Sequence, residues 1–361
     1  MKKNFIIYGS YGYTGNLIAR HGIEQGLKPI LAGRNEEKLK HQANLLDLDY
    51  RVFDVLDLEQ TKRALQDVIA VIHCAGPFKH TFENMAKACL AVKTHYVDIT
   101  GEVRVIEKLM QLNDQAKKAG IMLLPGAGFD VVPSDCLALY LLRHLPDAKK
   151  LVLAISGFQK DSNVSISHGT AKTMIEDMPE GSLIRSNGKL KKVPFCWKTQ
   201  TFDFGSSKYR VCGIISWGDL ASAWWSTKIP NIETYMALPK GLIRFRRLIN
   251  LFKNVLYWAP LKNYILHKID KLPPGPNDQQ RQNAIVKIYG EVTNDSGKKT
   301  IALMTTPNGY TLTALTTIII IKHILAGHAP SGFQTPAQAY TEDLIMNIPE
   351  VTRVIIIDSI P

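Results

Sequence analysis

Very little in this sequence suits metal, thiol or disulfide chemistry. Its five cysteines, Cys74, Cys89, Cys136, Cys196 and Cys212, are odd in number and scattered through 361 residues. None forms the Cys-x-x-Cys spacing that holds zinc or runs thiol exchange, so no metal centre is expected. Such sparse cysteine fits a reducing, cytoplasmic compartment. There is no internal repeat and no low-complexity tract. Met1-Lys2-Lys3-Asn4 leads straight into an apolar run without a small-residue cleavage site, so no secretory leader is expected. Long apolar runs are scarce too. The longest, Leu312 to Leu325, contains Thr313, Thr316, Thr317, Lys322 and His323, and predicts a buried helix rather than a membrane span.

What remains is an ordinary globular composition, 45% hydrophobic and 21% charged. The length exceeds what one core usually supports, so two domains are expected. A net charge of +12 favours anionic partners such as phosphorylated cofactors, acidic carriers or anionic lipids. No nucleic-acid module is recognisable, so no nucleic acid is expected as a partner.

The chain is organised around its start. Phe5, Ile6, Ile7 and Tyr8 form an apolar run that stops at Gly9, and Gly12 and Gly15 follow at intervals of three. In a strand-turn-helix unit the first glycine permits the tight turn, the second lets backbone amides approach a pyrophosphate, and the third lets helix and strand pack closely. The phosphates then rest on the positive end of the helix that begins near Leu17. Gly9, Tyr11, Gly12, Tyr13, Thr14 and Gly15 are therefore expected to contact a dinucleotide. A second strand ends at Ala32-Gly33-Arg34-Asn35, about nineteen residues beyond Gly15. An acid here would accept from a ribose 2′-hydroxyl, whereas Arg34 suits a 2′-phosphate and argues for NADP; Asn35 could serve the ribose of NAD instead.

Strands and helices alternate six times up to Leu124, which predicts a doubly wound parallel sheet of Rossmann type. Asp54 and Val55 follow the third strand. There the aspartate either accepts from an adenine amino group or caps the next helix. Val68 to Cys74 is apolar enough for a strand buried on both faces, and Ala75, Gly76, Pro77 and Phe78 after it form the second expected cofactor contact. Pro125 to Asp135 is a glycine-bracketed loop carrying Asp130, either a substrate contact beside the nicotinamide or turn architecture alone.

From about Lys149 the pattern changes. Leu151–Phe158, Tyr209–Trp217, Ala284–Val292 and Thr300–Thr305 read as strands of an antiparallel sheet in an inserted α+β domain. His168 stands in a turn before a helix, as a proton donor or a structural residue. Between Glu233 and Asp270 there is no acid, while Lys240, Arg244, Arg246, Arg247, Lys253, Lys262 and Lys268 accompany Phe245, Leu248, Ile249, Phe252 and Leu256 at helical spacing. This predicts a basic amphipathic helix over residues 240–271, lying on a membrane surface or packed with a solvated basic face. The expected division is residues 1–135, the dinucleotide-binding domain; 136–306, a substrate and homodimerisation domain; and 307–361, a helical segment returning to the first domain.

Five ordered blocks together resemble the saccharopine dehydrogenase-like oxidoreductases, particularly the branch of trans-acting enoyl reductases. They are Gly9 to Gly15, Ala32-Gly33-Arg34, Gly76-Pro77-Phe78, His95-Tyr96-Val97-Asp98-Ile99-Thr100-Gly101-Glu102 and Pro125-Gly126-Ala127-Gly128-Phe129-Asp130. Looser matches at His168-Gly169-Thr170, Pro274-Gly275-Pro276, Gly309-Tyr310 and Gly332 to Pro336 extend the likeness over nearly the whole chain. The resemblance implies an N-terminal dinucleotide-binding domain, an inserted mixed domain and a returning C-terminal helix. One departure is Lys79-His80-Thr81-Phe82, where the family usually has a Tyr-Gly pair. No arginine and lysine set stands out for an amino-acid substrate such as saccharopine. The expected activity is NADPH-dependent reduction of a lipophilic, acyl or polyketide-like substrate, with Asp130 or Tyr310 handling the proton. The alternatives are a non-catalytic dinucleotide-binding protein at a lipid surface and a saccharopine-type amino-acid dehydrogenase.

Overall fold

The computed structural model describes residues 4–159, 167–205, 208–252, 255 and 258–358. Contacts divide the chain into two compact units, Met1–Val132 with Gly309–Ile348, and Pro133–Asn308 with Pro349–Pro361.

The first unit alternates strand and helix: β1 (Asn4–Tyr8), α1 (Tyr13–Glu24), β2 (Ile30–Gly33), α2 (Glu36–Leu46), β3 (Tyr50–Val52), α3 (Leu58–Leu65), β4 (Val68–His73), α4 (Phe82–Val92), β5 (His95–Asp98), α5 (Val103–Met110), α6 (Asn113–Ala119) and β6 (Met122–Leu124). All its strand pairs are parallel, in the order β3-β2-β1-β4-β5-β6. The order reverses between β1 and β4, the crevice where dinucleotides bind in such sheets. Phe5, Ile6, Ile7, Val71 and Ile72 are buried, as central strands covered on both faces require. Between β5 and β6 the chain forms two helices, α5 and α6, separated at Gln111 and Leu112.

The second unit follows with α7 (Val132–His144), β7 (Lys150–Gln159), α8 (His168–Asp177), β8 (Ser182–Ser186), β9 (Lys189–Val193), β10 (Thr199–Asp203), β11 (Tyr209–Ile214), α9 (Asp219–Thr227), β12 (Asn231–Ala237), α10 (Lys240–Arg244), α11 (Arg246–Phe252), α12 (Ala259–Asp270), α13 (Asp278–Gln282), β13 (Ala284–Thr293) and β14 (Lys299–Pro307). Its sheet is mixed rather than wholly antiparallel, because β12 runs parallel to β7 while β13 pairs with β7 antiparallel. Leu137 and Leu141 of α7 pack over Gly290 of β13, where a Cβ would lie 2.6 Å from the Leu141 side chain.

The single basic helix expected over 240–271 is not formed. The segment breaks into α10, α11 and α12, and Pro260 in the first turn of α12 explains the last break, since proline starts helices but cannot continue them. Lys253 and Leu256 of the expected helix lie outside the described residues, as do Met1, Lys2 and Lys3.

The chain then returns to the first unit with α14 (Gly309–Leu325), β15 (Gly332–Phe333) and α15 (Pro336–Tyr340). The short β15 adds a seventh parallel strand beside β6. Only two residues long, it carries no periodicity that sequence could show. The final segment is not wholly helical: β16 (Thr352–Asp358) pairs with β14 in the second sheet. Helix α14 is buried on most sides, from Leu312 to Ile324, and among the described residues no helix is long and apolar enough to cross a membrane. Its threonines bond back to the helix, Thr313 to the Gly309 carbonyl at 2.8 Å and Thr316 to the Leu312 carbonyl at 2.9 Å, so polar side chains sit in an apolar setting without loss.

Ile320 is fully buried on α14. Replacing it with alanine should cost about 2–5 kcal/mol, read as a lower midpoint in urea unfolding of this unit. A midpoint equal to wild type would contradict the packing of α14.

Candidate active site

The glycine turn is a backbone structure. Gly9 has φ +82°, and a Cβ on Gly15 would lie 2.4 Å from the Gly9 carbonyl oxygen. The N-cap of α1 is Gly12, with no capping side chain. The turn is fastened from below: Ser10 donates to the Gln42 carboxamide oxygen at 2.8 Å, and Gln42 donates to the Ser10 carbonyl at 2.8 Å and to Asn16 at 3.0 Å. None of Ser10, Asn16 and Gln42 stood out in the sequence, because a polar residue on a helix is ordinary. A bare helix N-terminus behind a turn that tolerates no Cβ fits a pyrophosphate.

Beside this turn, Tyr11 lies on Gly33, where a Cβ would come within 2.6 Å of the ring, and Lys38 stands 5.9 Å from the ring centroid. Arg34 is exposed at the end of β2. Arg34 and Lys38 thus make two cations next to Tyr11. Asn35 accepts from the Lys38 amide at 2.9 Å as the N-cap of α2, so its oxygen is already engaged. Lys38 gave no sequence signal of its own, being one of several lysines on an exposed helix face.

Asp54 does not cap α3. Its carboxylate accepts from the Leu56 amide at 3.0 Å, and the cap is Asp57, which accepts from Gln60. The Val55 amide donates to the Tyr8 hydroxyl at 3.0 Å, and burial pushes that phenol up to about 12. Across the switch point, Ala75 to Phe78 follow β4, with a cis bond between Gly76 and Pro77. The Glu102 carboxylate accepts from the Phe78 and Lys79 amides at 2.7 and 2.9 Å. The Phe78 ring packs edge-on against His73 at 5.3 Å. Burial lowers His73 to about 3 and raises the Cys74 thiol, with Asp98 adding to the rise. Neither group is an acid, base or thiolate at neutral pH.

The blocks 95–102 and 125–130 meet through Asp98. Fully buried, it accepts from Tyr96 at 2.6 Å and from the Thr100 and Gly126 amides at 2.9 Å each. Its carbonyl accepts from the Ala127 amide at 2.7 Å. Burial raises Asp98 to about 6 in spite of these donors. The loop is held from the other side by α14, where Thr313 accepts from the Phe129 amide at 2.9 Å and Thr316 donates to the Ala127 carbonyl at 2.6 Å.

At the end of this loop Asp130 presses on Gly101, where any Cβ would overlap its carboxylate. Burial first, and the Glu102 charge second, push Asp130 up to about 7. Its Oδ1 has no hydrogen-bond partner among the described residues. Tyr310, the other expected proton-handling residue, is in the first turn of α14 and meets Tyr13 of the glycine turn edge-on at 5.1 Å. His168 belongs to the second unit, where its Nε2 is 2.7 Å from the Leu272 carbonyl, a structural tie.

The fold and this cradle define a dinucleotide-binding protein. Residues 5–124 match the saccharopine dehydrogenase NADP-binding domain. A lipid droplet localized protein of Caenorhabditis elegans is 27% identical over 230 residues, covering 54% of this chain and 52% of the relative. The human saccharopine dehydrogenase-like oxidoreductase is 24% identical over 216 residues, covering 53% of this chain and 50% of the relative. This chain's match thus spans about half the length of those relatives. Saccharopine dehydrogenase (L-Glu forming) from Saccharomyces cerevisiae shares the fold, with a TM-score of 0.67 at 15% identity over 98% of this chain and 100% of that one. Residues 5–124 thus form a domain of the saccharopine dehydrogenase NADP-binding kind, and the chain resembles the saccharopine dehydrogenase-like oxidoreductases.

Asp130 makes stability depend on pH. Its folded value of about 7 exceeds the ordinary value of about 4, so the unfolded chain ionises first and stability falls as pH rises between the two. Asp130→Asn should therefore melt several degrees above wild type at pH 8, with the gap closing toward pH 4. A gap independent of pH would show that Asp130 titrates normally.

Proposed function

We propose that this protein is an NADPH-dependent reductase of a C=C or C=O bond in a lipophilic, acyl or polyketide-like substrate, with Asp130 as the proton donor. The observation that carries the reading is the Asp130 carboxyl, with one oxygen unpartnered and its pKa near 7, in the unit that holds the glycine cradle. The bound cofactor supplies a hydride to the substrate carbon. Asp130 in its protonated form then gives its proton to the oxygen or carbon that gains the electron pair, and solvent restores the carboxyl. Burial keeps Asp130 protonated, the Glu102 charge adds to the effect, and Glu102 also holds the Phe78 turn through two amides. Gly9, Gly12 and Gly15, with the amides starting α1, bear the pyrophosphate, and Arg34 and Lys38 bear the 2′-phosphate. Tyr13, Tyr310 and Phe78 supply aromatic walls that exclude water. The resemblance to trans-acting enoyl reductases supports a lipophilic substrate.

A second reading, attachment to an anionic lipid surface, is favoured by the apolar side chains that α11 and α12 leave in solvent. Leu251 is 70% and Trp258 64% exposed, beside the exposed Arg244, Arg247, Lys268 and Lys271. The C. elegans lipid droplet relative supports it. The two readings are compatible, since a reductase of acyl chains benefits from standing at its substrate's surface.

Titration of the protein with NADPH and NADH, followed by nicotinamide fluorescence, tests the cofactor assignment. Arg34→Ala should weaken NADPH by on the order of 1.5–3 kcal/mol, as for hydrogen bonds to a charged group, and leave NADH nearly unchanged. Equal losses for both nucleotides would refute the role of Arg34. In turnover with enoyl or keto substrates, the rate should fall about tenfold per pH unit above 7, and Asp130→Asn should lose that dependence along with most of kcat. An Asp130→Asn enzyme with wild-type kcat would remove Asp130 from the chemistry.

Flotation with anionic vesicles at low salt tests the surface. Wild type should float, and Arg244→Glu with Arg247→Glu should not. If wild type stays at the bottom of the gradient, the attachment reading is wrong.

A further inference from the structure

We propose that the second unit carries a binding site for a phosphate monoester dianion, formed by Lys208, Arg210 and Lys287 around the ring of Phe158. The site follows from where strands stop. Strand β12 separates β7 from β11, and its last pairs are Met236 with Ile155 and Ala237 with Cys212. Beyond that point β7 continues through Phe158 and β11 begins earlier, at Tyr209. Phe158 and Arg210 therefore face a notch left by the shorter strand.

Lys287 joins them from β13, two residues along from Ile285, the partner of Phe158, and so on the same face of the sheet. Three cations converge on one ring: the Arg210 guanidinium carbon lies 5.0 Å from its centroid, the Lys208 ammonium 5.6 Å and the Lys287 ammonium 5.7 Å.

Gathering three like charges is costly unless something compensates them. Cation–π attraction supplies part, since one ring face offers about 0.5–1 kcal/mol at exposed sites. Among the described residues none of the three forms an ion pair. Lys287 donates to the Phe204 carbonyl at 2.8 Å and Arg210 to the Tyr209 carbonyl at 3.1 Å, both neutral acceptors. The one acid acting on Lys287 is Asp203, whose carboxylate already accepts from the Gly205 amide. Loss of hydration first and the nearby Lys208 charge second lower the Lys287 ammonium below its usual range, with Asp203 opposing them. Three cations against one acid leave two charges for a ligand to neutralise, which matches a phosphate dianion better than a carboxylate. The Arg210 fork offers paired donors to such a group.

The surroundings are built for entry. Gly205 has φ +86°, and the Cβ it lacks would stand 3.6 Å from the Lys287 ammonium. Below the cations lies an aromatic floor, with Phe204 at 5.9 Å from Phe158 and Phe202 packed on Tyr235 and Tyr289. The site therefore takes a phosphate ester whose remainder is apolar or aromatic. It is independent of the redox reading, since neither Asp130 nor the glycine turn contributes to it.

The test is a phosphorus NMR titration of inorganic phosphate into protein saturated with NADP, which fills the first unit's phosphate contacts, at low ionic strength and pH 8. Wild type should show saturable binding that sulfate competes away. Arg210→Gln, at an exposed position, and Lys287→Met should each weaken it tenfold or more, while Lys191→Gln on β9 should not. Absent saturation, or equal binding by wild type and both variants, overturns the proposal. Flotation with phosphatidic acid vesicles, compared between wild type and Arg210→Gln, then separates the sources of phosphate. Loss of flotation assigns a lipid headgroup, and phosphate binding without a flotation difference assigns a soluble ester.

Discussion

The close approach of Gly15 to the Gly9 carbonyl is the constraint from which the first unit is built. With no Cβ at position 15, helix α1 can begin directly above the end of β1, and its first-turn amides face the crevice where the strand order reverses. A methyl group there would push α1 away from the strand it packs on. Ser10, Asn16 and Gln42 hold this geometry with three hydrogen bonds, so the turn does not depend on a ligand for its shape. In the proposed role as a phosphate cradle, such a turn would not have to be ordered by binding.

A second device is the buried Asp98, which ties the turn after β5 to the loop after β6. An unpaired carboxylate in that position would be prohibitively costly. Its three donors come from β5, the turn after it and the loop after β6, so satisfying Asp98 also fixes where Asp130 must lie. The two aspartates illustrate how environment separates like groups. Asp98 is buried, fully bonded and structural. Asp130 has one buried oxygen without a hydrogen-bond partner, and burial first, with the Glu102 charge second, raises its pKa to about 7. Helix α14 completes the arrangement from far along the chain, with Thr313 and Thr316 bonding the backbone on either side of Gly128.

The second unit works by a different rule. Its sheet is long and mixed, with an aromatic core of Phe202, Phe204, Tyr235 and Tyr289 on one face and Leu137 and Leu141 of α7 packed over Gly290 on the other. Where β12 stops short of β7 and β11, Lys208, Arg210 and Lys287 gather around the Phe158 ring. On α10–α12 and beside them, Leu251 and Trp258 stand exposed rather than joining that core.

Local pattern was enough for much of this. Three glycines behind an apolar run and six alternations of strand and helix specify the parallel sheet from residues close in sequence, because each depends on backbone freedom or periodicity, and Arg34 at the end of β2 is the single local charge on which the proposed 2′-phosphate contact rests. The blocks around Asp98 and Asp130 were visible as motifs, but not what they do. Whether Asp130 is protonated depends on Gly101, Glu102 and burial under the loop. Whether Asp54 caps α3 depends on Asp57 being better placed, and whether residues 240–271 form one helix depends on Pro260. The two-residue strand β15, the parallel pairing of β12 with β7 and the meeting of Lys208, Arg210 and Lys287 on Phe158 carry no local mark at all. They arise where segments distant in the chain compete for the same edge or face, and only the folded backbone settles which of them wins.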